Sequence, residues 1–415
     1  MNLQRKVDIH LLLQINKTML DIEQKQQIND VLRKAVHEIS ISESQHEILV
    51  RSYEAVGNYL AENDALKPYH PEIHPQGSIR LGTAIKPIVE EDDLDIDLVC
   101  EFKNIPSTWT QKNLKEVVGD CLKGSKRYND MIEKRDGGKR CWTLLYREGS
   151  ESRYHMDILP AVVADNYGLL LERFDYKNYG QLAISITDKT WPNYATDTEH
   201  TDWPHSNPFG YAKWFKGRCN PTILKAFCES VESAPKYGAS QSVLQDAVKI
   251  LKRHRDLMFD GDDDKPISII ITTLAANAYD GENNLFDALS RIVASMPTYV
   301  ESRIVNGKLV KYIPNPVDPT ENFADKWVKE PRKEKMFYKW VEAVRAEVAR
   351  IGNGDMRGLQ VGLEALCGEK VSKRVFETIG RETKQIRDNG ALKVGATGLL
   401  GSVGTKVAAH NFFGK

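Results

Sequence analysis

The stretch DLDIDLVCEF, residues 93–102, decides the fold. Apolar and acidic residues alternate in it, so in a β-strand Leu94, Ile96 and Leu98 face one side while Asp93, Asp95 and Asp97 face the other. Carboxylates at two-residue spacing repel one another, and aspartate is a poor strand former, so stability alone gives little reason for the pattern. A solvated edge strand with an acidic face is one reading. A bound divalent cation is the other: magnesium takes hard oxygen ligands, one or two carboxylates completed by phosphate and water, which Asp-x-Asp supplies from a single strand.

Working outward, YHMDILPAV (154–162) alternates again, with Tyr154, Met156 and Ile158 on one face and His155, Asp157 and Leu159 on the other. Asp157 is a charge in an otherwise apolar strand, suited either to pairing with an arginine or to a third place beside the same metal. RCWTLLY (140–146) reads as a further strand, joined to it by a hairpin turn at REGSES (147–152). Upstream, Gln76-Gly77-Ser78 follows the extended KPYHPEIHP and leads into the helix-like IRLGTAIKP. Glycine allows close backbone approach and a hydroxyl at a helix start suits a phosphate, although turn chemistry explains Gly-Ser equally well.

Helical periodicity flanks this centre. IHLLLQINKTMLDI (9–22), INDVLRKAVHEIS (28–40) and HEILVRSYEAVGNYLAEN (46–63) carry apolar residues at three- and four-residue spacing, with Ser44 and Glu47 suggesting a capping box for the third. From Asn207 helices return, with Pro208 suited to a first turn, and continue through 242–259, 267–279 and 335–351. Asn306-Gly307 within RIVNGKLVKYI signals a small hairpin. On the helix at 242–259, Leu244, Ala247, Val248 and Leu251 form the apolar stripe, leaving Lys252, Arg253 and Arg255 near its C-terminal end. Those cations suit the helix dipole in a structural or merely solvated role, or a clamp on triphosphate oxygens. Ser268, a hydroxyl opening an apolar helix, reads as an N-cap or as a phosphate contact.

Composition bounds the rest. The 415 residues favour two packed domains, the 41% hydrophobic fraction suffices for a core, and the formal net charge of -1 argues against duplex nucleic acid as an obligatory partner. No apolar run reaches the roughly 18 residues that span a bilayer, so a cytoplasmic, membrane-independent protein is expected. The six cysteines are scattered without C-x-x-C pairing, as for reduced thiols rather than a zinc site. The predicted fold class is α+β and bilobed: residues 1–206 a mixed α/β, catalytic-looking domain with N-terminal helices, 207–390 a helical domain, and 391–415 a flexible glycine-rich tail.

The order of these pieces, a Gly-Ser turn, an Asp-x-Asp strand and a later strand with one Asp, resembles the DNA polymerase β-like nucleotidyltransferase superfamily. More closely, QGSIRLGTAIKP, DIDLVCEF, YHMDILPAV, NPFGYAKWF, LKRHRD, KPISIIITTLA and NPVDPTENFADKW are similar to the bacterial cGAS/DncV-like nucleotidyltransferases. The resemblance implies a magnesium-dependent enzyme that makes a cyclic di- or trinucleotide second messenger from ATP, GTP or other nucleoside triphosphates in anti-phage defence, releasing pyrophosphate. It implies Asp95, Asp97 and Asp157 as catalytic residues holding two Mg2+ ions, with Mn2+ as a substitute. Gln76, Gly77, Ser78, Lys252 and Ser268 are the implied nucleotide contacts. The connection from Ser78 to Asp95 is long for the superfamily and Asp93 would shorten it; the DLVC ending favours Asp95 with Asp97. An operon-encoded regulator, or an enzyme conjugating the HNFFGK terminus, are the implied partners, a disordered end being the plainer account of that terminus. The alternatives are a nucleotidyltransferase making linear oligonucleotides or modifying tRNA or protein, and a catalytically silent nucleotide-binding scaffold.

Overall fold

The computed structural model describes residues 20–89, 93–146, 153–164, 179–220, 241–395, 397–402 and 404–406. The expected helix at 9–22 lies almost wholly outside them, as do the turn 147–152 and the terminus from 407. In chain order the helices are α1 (Ile22–Ile39), α2 (Glu43–Glu62), α3 (Gly77–Leu81), α4 (Gln111–Gly124), α5 (Lys126–Met131), α6 (Pro208–Cys219), α7 (Val243–Phe259), α8 (Ser268–Ala278), α9 (Leu285–Ser295), α10 (Pro331–Ile351), α11 (Met356–Cys367) and α12 (Glu369–Asp388). The strands are β1 (Pro71–Pro75), β2 (Leu94–Phe102), β3 (Trp142–Tyr146), β4 (Tyr154–Val163), β5 (Ile184–Ile186), β6 (His205–Ser206), β7 (Glu301–Val305), β8 (Lys308–Tyr312), β9 (Pro314–Asn315), β10 (Asp318–Asn322), β11 (Lys393–Val394), β12 (Leu400–Gly401) and β13 (Thr405–Lys406).

The chain divides into two compact units. One comprises residues 41–241 with 314–321; the other comprises 1–40, 242–313 and 322–415. The boundary expected at 206/207 therefore falls inside the first unit, which keeps α6, and α1 belongs with the later helices.

The first unit is built on a six-stranded mixed sheet ordered β1-β2-β4-β5-β6, with β3 beside the first half of β4. β2 and β4 run parallel, and β1 and β3 are antiparallel to β2 and β4 respectively. The two faces differ as the sequence alternation requires. On one, Ile96, Leu98, Cys100 and Phe102 of β2 and Met156 and Ile158 of β4 pack with Leu49, Tyr53 and Val56 of α2 and Leu114, Val118 and Leu122 of α4. On the other, Val99, Leu159, Ala161, Ile184, Ile186 and Phe209 form a smaller apolar cluster. Asp97 and Asp157 lie on this second face, at the end of the strands preceding that cluster.

The packing of α4 on β3 fixes a local anchor. Trp142, 2% exposed, donates its indole N–H to the Lys115 carbonyl at 2.8 Å, and a Cβ at Gly119 would stand 1.9 Å from the Trp142 ring, so only glycine fits there. Lys115 in turn donates Nζ to the Cys141 carbonyl at 3.1 Å, and burial pushes this amine down to about 8.

Helix starts are capped as their sequences dictate. The capping box of α2 uses Ser42 with Gln45, two residues upstream of the expected Ser44 and Glu47, because Ser42 is the residue with the extended backbone of an N-cap, φ -76 and ψ 166. The second unit has equivalent boxes at Asp21 with Gln24 for α1 and Ser242 with Gln245 for α7. The expected Asn306-Gly307 hairpin is present between β7 and β8, both turn residues having positive φ, 50° and 74°. The stretch expected to be a flexible tail instead forms, among its described residues, the small sheet β12-β11-β13, with Thr383 on α12 donating to the Leu400 carbonyl at 3.0 Å. Among the described residues no helix is long and apolar enough to cross a membrane, and no disulfide joins the described cysteines.

Candidate active site

Parallel pairing of β2 with β4 places Asp97 directly opposite Asp157 and Asp95 opposite His155. Adjacent strands lie about 4.8 Å apart, so Asp97 and Asp157 present two carboxylates side by side on one face. The thiol of Cys141, just before β3, registers both: burial, reinforced by Asp157 and Asp97, pushes it up to about 12.

The Gln76-Gly77-Ser78 turn closes onto this pair. β1 pairs with β2 up to Pro75 and Leu98, and the Gln76 N–H then donates to the Asp97 carbonyl at 2.8 Å. Gly77 has φ +59, and a Cβ on it would stand 2.3 Å from Asp97 Oδ2, so a side chain here collides with the carboxylate. Ser78 follows in the one-turn helix α3, its carbonyl accepting from Thr83 at 2.9 Å before Gly82 ends the turn with φ 66. Gln76 and Gly77 are thus brought against Asp97, with Ser78 next in the chain.

Asp93 is accounted for differently. Its carboxylate accepts from Arg153 Nε at 3.0 Å, and lies 2.5 Å from His155 Nε2, with only 8% of the side chain exposed. Asp93 precedes β2 and lies against Arg153, just before β4, and His155 on β4, whereas Asp97 and Asp157 are level within the two strands. Asp95 is 85% exposed at its side chain and lies 3.9 Å from His155 Nδ1. The three expected acids therefore share one face of the sheet, Asp97 and Asp157 level on adjacent strands and Asp95 two residues earlier on β2. Among the described residues, no three acidic, histidine or cysteine side chains are grouped closely enough to hold an ion by themselves. Two carboxylates at one level of adjacent strands, beside a glycine turn, do fit magnesium, which draws its remaining ligands from phosphate and water.

Sequence patterns did not disclose Thr143, which donates from Oγ1 to Asp157 Oδ1 at 2.5 Å across β3 and β4, nor Arg153 and His155 as partners of Asp93. Thr143 is visible in the sequence only as the single polar residue of the strand core WTLL.

Lys252 and Ser268 belong to the second unit. Lys252, Arg253 and Arg255 on α7 are 6%, 4% and 6% exposed, not a solvated helix end as one reading had it. Ser268 is not an N-cap: Ile267 occupies that position without a capping bond, and the Ser268 hydroxyl accepts from Arg255 Nη1 at 2.9 Å. The same arginine donates to the Pro266 carbonyl at 3.1 Å and pairs with Asp256 at 2.7 Å.

A family model described as the Second Messenger Oligonucleotide or Dinucleotide Synthetase domain matches residues 27–178. A c-di-GMP synthase from Roseivirga ehrenbergii is 27% identical over 384 residues, covering 91% of this chain and 93% of its own. Among solved structures, the CD-NTase CdnG of Bradyrhizobium diazoefficiens, in complex with GTP, is similar with a TM-score of 0.62 at 20% identity, over 85% of this chain and 99% of that one. CdnC of E. coli MS115-1, solved as a complex with HORMA-deltaN, is similar with a TM-score of 0.54 at 14% identity, over 82% and 96% of the two chains. At these identities the two structures speak to the fold, and it is the α+β architecture that the strand and helix patterns predict.

Proposed function

We propose that the chain is a cGAS/DncV-like nucleotidyltransferase, an enzyme that synthesises a cyclic oligonucleotide second messenger, and that it joins nucleoside triphosphates into a cyclic dinucleotide, with GTP among its substrates. The observation that carries this reading is the pairing of Asp97 with Asp157 on adjacent parallel strands, beside the Gly77 turn. The choice of GTP rests on the Roseivirga c-di-GMP synthase, with which most of the chain aligns.

In the proposed reaction a ribose hydroxyl attacks the α-phosphorus of a bound triphosphate in line. One P–O bond forms as the bond to pyrophosphate breaks, and the hydroxyl proton passes by way of Asp157 to solvent. Phosphoryl transfer of this kind needs mainly positioning and charge neutralisation from the protein. Enzymes of this family use divalent metal ions; we take these to be two Mg2+, replaceable by Mn2+, which neutralise charge on the entering and leaving oxygens. Asp95, Asp97 and Asp157 would hold them, with Asp157 also directing the attacking hydroxyl. Gln76, Gly77 and Ser78 let the donor triphosphate approach the backbone beside Asp97. The family resemblance adds Lys252 and Ser268 as donor-phosphate contacts. A second attack by the linear intermediate closes the ring. We place the product in anti-phage signalling, with an operon-encoded regulator as partner, on that same resemblance.

Incubating the protein with labelled ATP, GTP, CTP and UTP and Mg2+, followed by phosphatase, tests the proposal. A phosphatase-resistant product requiring GTP is expected. A phosphatase-sensitive product would replace it with the linear reading, and no nucleotide joining under any combination would refute both.

A further inference from the structure

We propose that Thr143 is a positioning residue for the metal-binding carboxylate of Asp157, an assignment that rests on the functional reading above. β3 pairs antiparallel with β4 so that Thr143 stands directly across from Asp157, and its Oγ1 donates to Asp157 Oδ1. The donor is charge-assisted, since the acceptor is a carboxylate, and such hydrogen bonds are short and strong. Threonine is stiff at χ1, so the hydroxyl arrives with little rotamer freedom to lose.

The strand that carries the donor is itself fixed on both sides of Thr143. Before it, Trp142 is buried and tied to the Lys115 carbonyl, while Lys115 returns a bond to the Cys141 carbonyl. After it, Leu144 is fully buried and bridges to Ile132, and the Thr143 carbonyl accepts from the Glu133 N–H at 3.0 Å. Helix α4 and the segment after α5 thus hold β3 in place, and β3 holds one oxygen of Asp157. A carboxylate fixed at Oδ1 presents its other oxygen in one direction, and the neighbouring Asp97 lies level with it on β2, its carboxylate against Gly77 and its backbone carbonyl accepting from the Gln76 N–H. The hydroxyl of Thr143 thereby presets one member of the carboxylate pair. Partners of this outer kind orient ligands without touching the metal, and removing one typically weakens metal affinity or activity about 10–100-fold.

Thr143→Val and Thr143→Ser separate this role from a structural one. Valine keeps the β-branched shape and loses only the hydroxyl; serine keeps the hydroxyl. Mn2+ binding, titrated alone and read by electron paramagnetic resonance, is expected to weaken about 10–100-fold in T143V and to stay within about threefold of wild type in T143S. In turnover, T143V should lower kcat by a similar factor and raise the Mg2+ concentration for half-maximal rate, with KM for nucleotide nearly unchanged. Wild-type Mn2+ affinity in T143V would overturn the assignment, and so would equal impairment of both variants. Because the Mn2+ titration needs no turnover, an inactive wild type would count against the proposed function while the Mn2+ ratio still decides Thr143.

Discussion

Asp157→Asn is expected to leave a folded protein that joins no measurable nucleotide. Asparagine matches aspartate in shape and still offers Oδ1 to Thr143, so the β3–β4 pairing around it should survive. What disappears is one negative charge of the pair that Asp97 and Asp157 form across the parallel strands. Metal-assisted charge stabilisation is worth several kcal/mol, and about 4 kcal/mol corresponds to about 10³-fold in rate. The unsubstituted pair carries the opposite cost, since two adjacent carboxylates repel, so D157N should melt at the same temperature as wild type or slightly higher. The assay is nucleotide joining from labelled GTP and ATP beside a thermal melt. Product at more than about a tenth of the wild-type rate would remove Asp157 from the catalytic set.

Gly77→Ala is expected to be nearly as damaging for a different reason. At φ +59 any residue with a Cβ pays roughly 1 kcal/mol, which the fold can absorb. The contact is more serious, because the new methyl would sit 2.3 Å from Asp97 Oδ2, well inside van der Waals distance. Either the turn moves or the carboxylate does. Both separate the phosphate-approach backbone from the acid it adjoins, and a displacement of about 1 Å at a reacting centre costs about 10²-fold. G77A should therefore lose at least about 100-fold in kcat while its urea midpoint falls only modestly. Full activity in G77A would show that the close approach of residue 77 to Asp97 is incidental to turnover.

How much of this was legible in the sequence depends on whether a feature is local. Alternation in DLDIDLVCEF and YHMDILPAV disclosed β2, β4 and which residues share a face, because side-chain direction in a strand follows residue parity alone. The Asn306-Gly307 hairpin was legible because positive φ at both turn positions selects those residues. Cross-strand register was not legible. Asp93 pairs with Arg153 and lies beside His155, about sixty residues away, and nothing near Asp93 announces them. Thr143 was hidden for the same reason, its importance residing in the residue opposite it. The cap of α2 was misplaced by two residues because Ser42 and Ser44 are alike in type and differ only in backbone conformation. Lys252 and Arg255 looked like a solvated helix end because residue type predicts exposure only on average, and here both are buried.

The central claim is that the carboxylates of Asp97 and Asp157 together hold the metal for nucleotide joining. The most direct test is a crystal structure with Mn2+ and a non-hydrolysable GTP analogue, with the metal located by its anomalous signal. The account predicts a peak within about 2.2 Å of one carboxylate oxygen from each of Asp97 and Asp157, with phosphate oxygens completing the shell. A peak bound by neither residue, with the nucleotide seated elsewhere, would contradict it.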